Sequence, residues 1–184
     1  DDYPKPVRDR VDRAMAIGIN VLAYATGRQL RDKLDVPSPV GSGAAGNNNN
    51  RNELVVAKLS HAGGSNDAPS ALANLMAVVN NEVGLTARAK QEPISIADDA
   101  IYDYPIIFMH GRRTFRLSDT ERKYLRQYIE RGGFVFADAI CASDQFAAAF
   151  RRELAATIRG AKLVEIPASH PMFTGEYRGH DVTT

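Results

Sequence analysis

The sequence predicts a doubly wound α/β domain of three layers with a mainly parallel sheet, preceded by an N-terminal helical extension. Two observations predict it. From Glu53 onward, short apolar runs (54–59, 106–109, 134–137) alternate with amphipathic stretches of helical length. The junctions between them carry the residues that start and stop helices: Pro69 before a helix, Gly84 after it, Ser118 with Glu121 as a capping box, and Gly132-Gly133 before the next strand.

At the N-terminus, Val7, Val11, Ala14, Met15 and Gly18 fall on one helical face and Arg8, Asp9, Asp12 and Arg13 opposite, which predicts a helix over residues 6–17. The apolar run 19–25 is a continuation of that helix or a buried strand; the strand is favoured, with Thr26 capping a short helix to Leu34. Residues 37–52 are rich in Pro, Ser, Gly and Asn without apolar periodicity, and read as a mobile linker between the extension (1–36) and the α/β domain (53–184).

Within that domain, residues 71–79 form a helix, 86–96 a strand in one or two pieces broken near Pro93, and 106–109 a buried central strand. Leu125, Tyr128 and Ile129 mark the next helix. The strand at 134–137 leads to a helix capped by Asp144, with Phe146, Ala147, Phe150, Leu154 and Ile158 on its apolar face. Lys162 to Ile166 reads as a last parallel strand ending at Pro167.

Composition excludes several classes. Lys plus Arg number 23 against 22 for Asp plus Glu in 184 residues, so the net charge of +1 offers no electrostatic footprint for nucleic acid. One cysteine, Cys141, permits neither an internal disulfide nor a cysteine-rich zinc site. No apolar run reaches the roughly 20 residues of a membrane span. A start at Asp1-Asp2-Tyr3 and an aperiodic tail after His170-Pro171 read as a fragment of a larger protein.

In an open parallel sheet the ligand crevice lies beyond the carboxyl ends of the strands. The first polar residues after each strand are therefore the candidates. They are His61, Gly63, Gly64, Ser65, Asn66 and Asp67 after the first strand; His110, Arg112 and Arg113 after the central one; Asp138 and Cys141 after the next; and His170 near the end. His61, His110 and Asp138 form either a two-histidine, one-carboxylate metal site or a hydrogen-bonded polar rim. The Gly63-Gly64-Ser65-Asn66 turn suits an anion cradle completed by Arg112 and Arg113, or a turn whose glycines only supply positive φ. Cys141 sits where α/β nucleophiles are presented, but without the glycines of a strained elbow, so a buried or inert cysteine is favoured. Arg151, Arg152 and Glu153 suggest surface or interdomain ion pairs.

Leu59-Ser60-His61-Ala62-Gly63-Gly64 with Asp67-Ala68-Pro69, Tyr104-Pro105, Gly132-Gly133-Phe134 with Asp138, Phe150-Arg151-Arg152-Glu153-Leu154 and His170-Pro171 together resemble the bacterial domain of unknown function 4159 family. The resemblance implies a class I glutamine-amidotransferase-like superfold, related to flavodoxin-like sheets, and a periplasmic or cell-envelope setting among other domains of a larger protein. It does not carry the glutaminase triad. Asp138-Ala139 stands where a Gly-X-Cys-X-Gly elbow belongs, and His170-Pro171-Met172 replaces His-Pro-Glu. Two functions follow: a non-catalytic ligand-binding or interaction module, with a small anionic ligand and no assigned cofactor, or a hydrolase or metal-dependent enzyme built on His61, His110 and Asp138.

Overall fold

The computed structural model of the chain describes residues 4–32, 53–175 and 179–183, with side chains for all but 27–32. The expected linker at 37–52, its mobility between Pro39 and Asn50, and the helix end at Leu34 lie outside the described residues. The chain divides into two compact units: Leu54–Ala77 with Ala87–Glu165, and Asp1–Glu53 with Val78–Thr86 and Ile166–Thr184.

The first of these holds the sheet. Strands β1 (Leu54–Ser60), β2 (Ala87–Ala89), β3 (Ile94–Ser95), β4 (Ile106–Gly111) and β5 (Phe134–Ala139) pair in the order β2-β1-β4-β5, with β3 also on β1, and every pairing is parallel. Helix α2 (Ala71–Glu82) follows β1, α3 (Asp119–Glu130) joins β4 to β5, and α4 (Asp144–Thr157) follows β5. The crossover through α2 steps from β1 toward β2, whereas that through α3 steps the other way. Right-handed connections then require helices on both faces, and the direction of winding reverses between β1 and β4.

Alternation along the strands decides what each face buries. Ala57, Leu59, Ile107 and Met109 face a core made with Leu125 and Tyr128 of α3 and Phe146 and Ala149 of α4. Strand β4 is buried at all six positions, as a central strand with neighbours on both edges must be. Tyr128 fixes the turn from α3 to β5: its hydroxyl lies 3.0 Å from the Tyr104 carbonyl and 3.2 Å from that of Phe134. A Cβ on Gly133 would overlap the Tyr128 ring, so the second glycine of the pair is a packing requirement. Ser118 and Glu121 make the expected reciprocal capping box.

Four expectations are corrected. Residues 19–25 are helical, within a single helix α1 (Lys5–Asp32). Ile19, Leu22 and Ala23 are buried at helical spacing, and the Thr26 hydroxyl donates back to the Leu22 carbonyl at 2.8 Å, so the β-branched residues yield to a helical apolar face. On the same helix Val7 and Val11 are exposed rather than covered. The cap of α4 is Ser143, whose hydroxyl accepts the Phe146 N–H, and not Asp144; its buried stripe is Phe146, Ala149, Glu153 and Thr157. Finally, residues 162–166 form no strand and are exposed throughout. Parallel registers that set Leu163 or Val164 beside Phe136 would bring Glu165 or Ile166 beside Asp138, a repulsion or a mismatch.

Glu153, expected at the surface, is buried and joins α3 to α4. Its carboxylate accepts from the Leu117 amide at 3.2 Å, from Arg122 Nη2 at 2.9 Å and from Arg152 Nε at 3.1 Å. Arg152 also donates to the Phe115 carbonyl. In the second unit, buried Asn20 of α1 makes a two-way bond to the tail: its Nδ2 donates to the His180 carbonyl at 2.7 Å and its Oδ1 accepts the His180 N–H at 2.6 Å. The His180 imidazole reaches Glu82 at 2.6 Å.

Glu153→Ala is expected to lower the unfolding free energy by about 3 kcal/mol, because it strands Arg122 and a buried amide, and urea denaturation measures this. Burial alone would raise the Glu153 carboxyl, but hydrogen bonds from Arg122, the Leu117 backbone and Arg152 hold it below its ordinary value. Its contribution is therefore complete above the usual carboxyl range and is lost as pH falls through the depressed value. The Glu153→Ala variant should lack that part of the acid loss seen in the parent.

Candidate functional site

The carboxyl ends of β1 and β4 meet at the reversal point of the sheet, the position where open α/β sheets place their ligands. The ladder between the two strands ends at Lys58 opposite Phe108, while both strands continue. The loop after β1 turns back across the end of β4. There the Gly63 carbonyl accepts the amides of both Arg112 and Arg113, at 3.1 and 3.0 Å. A Cβ on Gly111 would collide with that carbonyl and with Phe146, so the close approach depends on glycine.

Each histidine ties this loop down through its backbone. His61 Nδ1 accepts the Gly63 amide at 3.0 Å, which leaves its proton on Nε2. His110 Nε2 lies 2.8 Å from the Ser65 carbonyl and must be the donor, so Nδ1 carries the lone pair. Neither His61 Nε2 nor His110 Nδ1 has a partner among the described residues.

The two imidazoles lie on opposite faces of the sheet. His61 packs beside Phe115 and Phe146, at ring separations of 5.1 and 5.8 Å, on the side covered by α3 and α4. His110 stacks edge-on to Phe108 at 5.0 Å on the other side and stands directly opposite Asp138 in the β4–β5 ladder. No group of three His, Cys, Asp or Glu side chains among the described residues is placed to hold a metal ion.

Burial sets the charge states. Desolvation lowers His61 to about 4, with the His110 backbone pulling the other way. His110 is also lowered by burial, against the pull of its bond to Ser65, and Lys58 adds to the lowering. Both rings are neutral near pH 7. Asp138 is the one exposed residue of β5, yet desolvation of its carboxyl raises its pKa, with His110 opposing.

The other candidates divide. Gly64 has φ of 96° and packs against the Asp67 carboxylate, which pairs with Arg113 at 2.6 Å. The amides of Gly64, Ser65 and Asn66 make no hydrogen bond of good geometry to a described residue, whereas the Ser65 hydroxyl accepts the His61 amide at 3.3 Å. Arg112 and Cys141 approach each other, with Nη2 to Sγ at 3.5 Å. Cys141 and Ala142 both have positive φ, 55° and 56°, so the strand-to-helix turn takes a glycine-type conformation without glycines. His170 belongs to the second unit, edge-on to Tyr24 at 5.4 Å, and its Nδ1 accepts the Met172 amide. A cavity of about 520 Å³ in that unit, lined by Val11, Met15, Ile19, Val78, Glu82 and His180, contains none of the candidates.

One residue escaped the sequence reading. Lys58 lies within β1, is 7% exposed, and has no hydrogen bond or ion pair among the described residues. Reading 54–59 as a continuous buried run concealed it. The period-2 alternation, which puts Lys58 on the face of Val56 and opposite Phe108, was the available signal.

Folded His61 resists protonation that the unfolded chain accepts, so stability should fall as pH drops from 6.5 toward 4, by roughly 3 kcal/mol from this group. Thermal melts across that window should show the loss. The slope should flatten in His61→Asn, which removes the titrating ring.

No curated protein matches the chain. A family model does match, over residues 55–184, which takes in the whole sheet and its helices apart from Leu54, the first residue of β1. The chain therefore belongs to the family described as Domain of unknown function (DUF4159).

Proposed function

We propose that this domain is a non-catalytic binding module of a larger bacterial protein, taking a small anionic ligand, a carboxylate or a phosphate, at the carboxyl ends of β1 and β4. The observation that carries this reading is the run of three successive amides, Gly64 to Asn66, that make no hydrogen bond of good geometry to a described residue, in a turn with Gly64 at positive φ. Successive backbone N–H groups in such a turn form an anion-binding concavity. Arg112, exposed just past the end of the neighbouring strand with its Nη2 on Cys141 Sγ, offers a cation at the same edge of the sheet, while Arg113 is engaged by Asp67.

The histidines support binding over catalysis. Each spends one ring nitrogen on the loop backbone, and the two face opposite sides of the sheet. A general base needs a nitrogen within reach of the reacting proton, and the one bare lone pair, on His110, is buried. Their role in this reading is to hold the cradle rigid.

Phosphate and small mono- and dicarboxylates should each be titrated in a thermal shift assay. At about ten times Kd the stabilisation is about 1.4 kcal/mol, a rise in Tm of roughly 3 °C for a protein of this size. Arg112→Ala, an exposed change that leaves the fold intact, should remove most of the rise. If no anion raises Tm, or if Arg112→Ala keeps the full response, the cradle reading is wrong.

A further inference from the structure

Strand β5 is the last strand of the sheet. It pairs with β4 at all six positions, and no strand lies on its other side among the described residues. Exposed edges attract further strands, and proteins usually guard them with lysine, proline or a bulge. Phe134, Val135, Phe136 and Ala137 carry none of these guards and are only half-buried. The same chain presents an apolar segment that pairs with no strand among the described residues. Every residue from 162 to 169 is exposed, Leu163 at 56% and Val164 at 80%.

We propose that the outer edge of β5 is a strand-docking site, and that its occupant is residues 162–166 of a second copy of this chain, running antiparallel to β5. The side chains decide the direction. With Val164 opposite Phe136, an antiparallel strand sets Ile166 opposite Phe134 and the Lys162 ammonium opposite the Asp138 carboxylate. Directly opposed residues share a face, so on the face of Phe134, Phe136 and Asp138 each apolar side chain meets an apolar one and the charges pair, while on the other face Leu163 meets Ala137 and Glu165 stands opposite Val135.

Direction then decides the source. A strand returning through a single helix such as α4 arrives parallel to the one it left, and parallel registers put Glu165 or Ile166 beside Asp138. The antiparallel strand therefore comes from another molecule. Because each copy offers both the edge and the segment, two copies can exchange strands about a two-fold axis and close.

The test uses the full chain. Sedimentation velocity across the micromolar range is expected to show a concentration-dependent dimer. Val164→Pro is expected to abolish it with an unchanged far-UV spectrum, since residues 162–166 contribute no regular structure to the monomer. Lys162→Glu should weaken association about fivefold, and Asp138→Lys added to it should restore the parental affinity. In a Cys141→Ser background, Phe136→Cys with Val164→Cys is expected to form a disulfide between chains. A monomer at every concentration overturns the proposal. So does a disulfide within one chain, which would mean that the segment docks on its own β5, or a Lys162→Glu variant that dimerises like the parent.

Discussion

The Gly63 carbonyl is the hinge point of the sheet unit. By accepting the Arg112 and Arg113 amides it draws the loop after β1 across the end of β4, and only the missing side chain of Gly111 lets the backbones come so close. Every feature of the rim follows from that contact. His61 is turned into the aromatic core, Ser65 is brought over His110, and the turn runs from buried Gly64 out to exposed Asn66. In most doubly wound sheets this crevice stands open for a ligand. Here the protein's own loop crosses the end of β4 and occupies part of it.

That arrangement explains why two buried histidines need not signal chemistry. A neutral imidazole is a small aromatic ring with one donor and one acceptor, so it satisfies a backbone group and fills a core position at once. His61 and His110 do this with opposite polarity, one accepting an amide proton and the other donating to a carbonyl. The desolvation that depresses their pKa values is the same burial that lets them pack against Phe115, Phe146 and Phe108. Each leaves one nitrogen without a partner among the described residues, which is the cost of using a bifunctional ring for a single bond.

Elsewhere buried polar groups act as joints between elements. Glu153 gathers two arginines and a backbone amide between α3 and α4, and Asn20 closes a two-point bond to the tail in the second unit. Both are fully partnered, and that distinguishes them from the rim histidines and Lys58. A satisfied buried polar group specifies how elements meet. An unsatisfied one marks where the protein's own groups run out, and among the described residues of the sheet unit those marks are His61 after β1, His110 on β4 and the Thr157 hydroxyl at the end of α4.

The α/β class, the parallel pairing of β1, β4 and β5, the broken strand at β2 and β3, and the capping box of α3 were legible because each rests on local spacing and end signals. The family resemblance was legible for the same reason, as short separated residue groups. What the sequence could not decide depended on contacts between distant segments. Whether 19–25 folds as helix or strand turned on a buried helical face, and whether 162–166 joins the sheet turned on which side chains would stand beside Asp138. The candidate residues were found because parallel strands must end together, so the edge was predictable. Their separation was not: a side chain alternates faces with each residue, and the parity of His61 against His110 is set by the register between β1 and β4, which only the folded sheet defines.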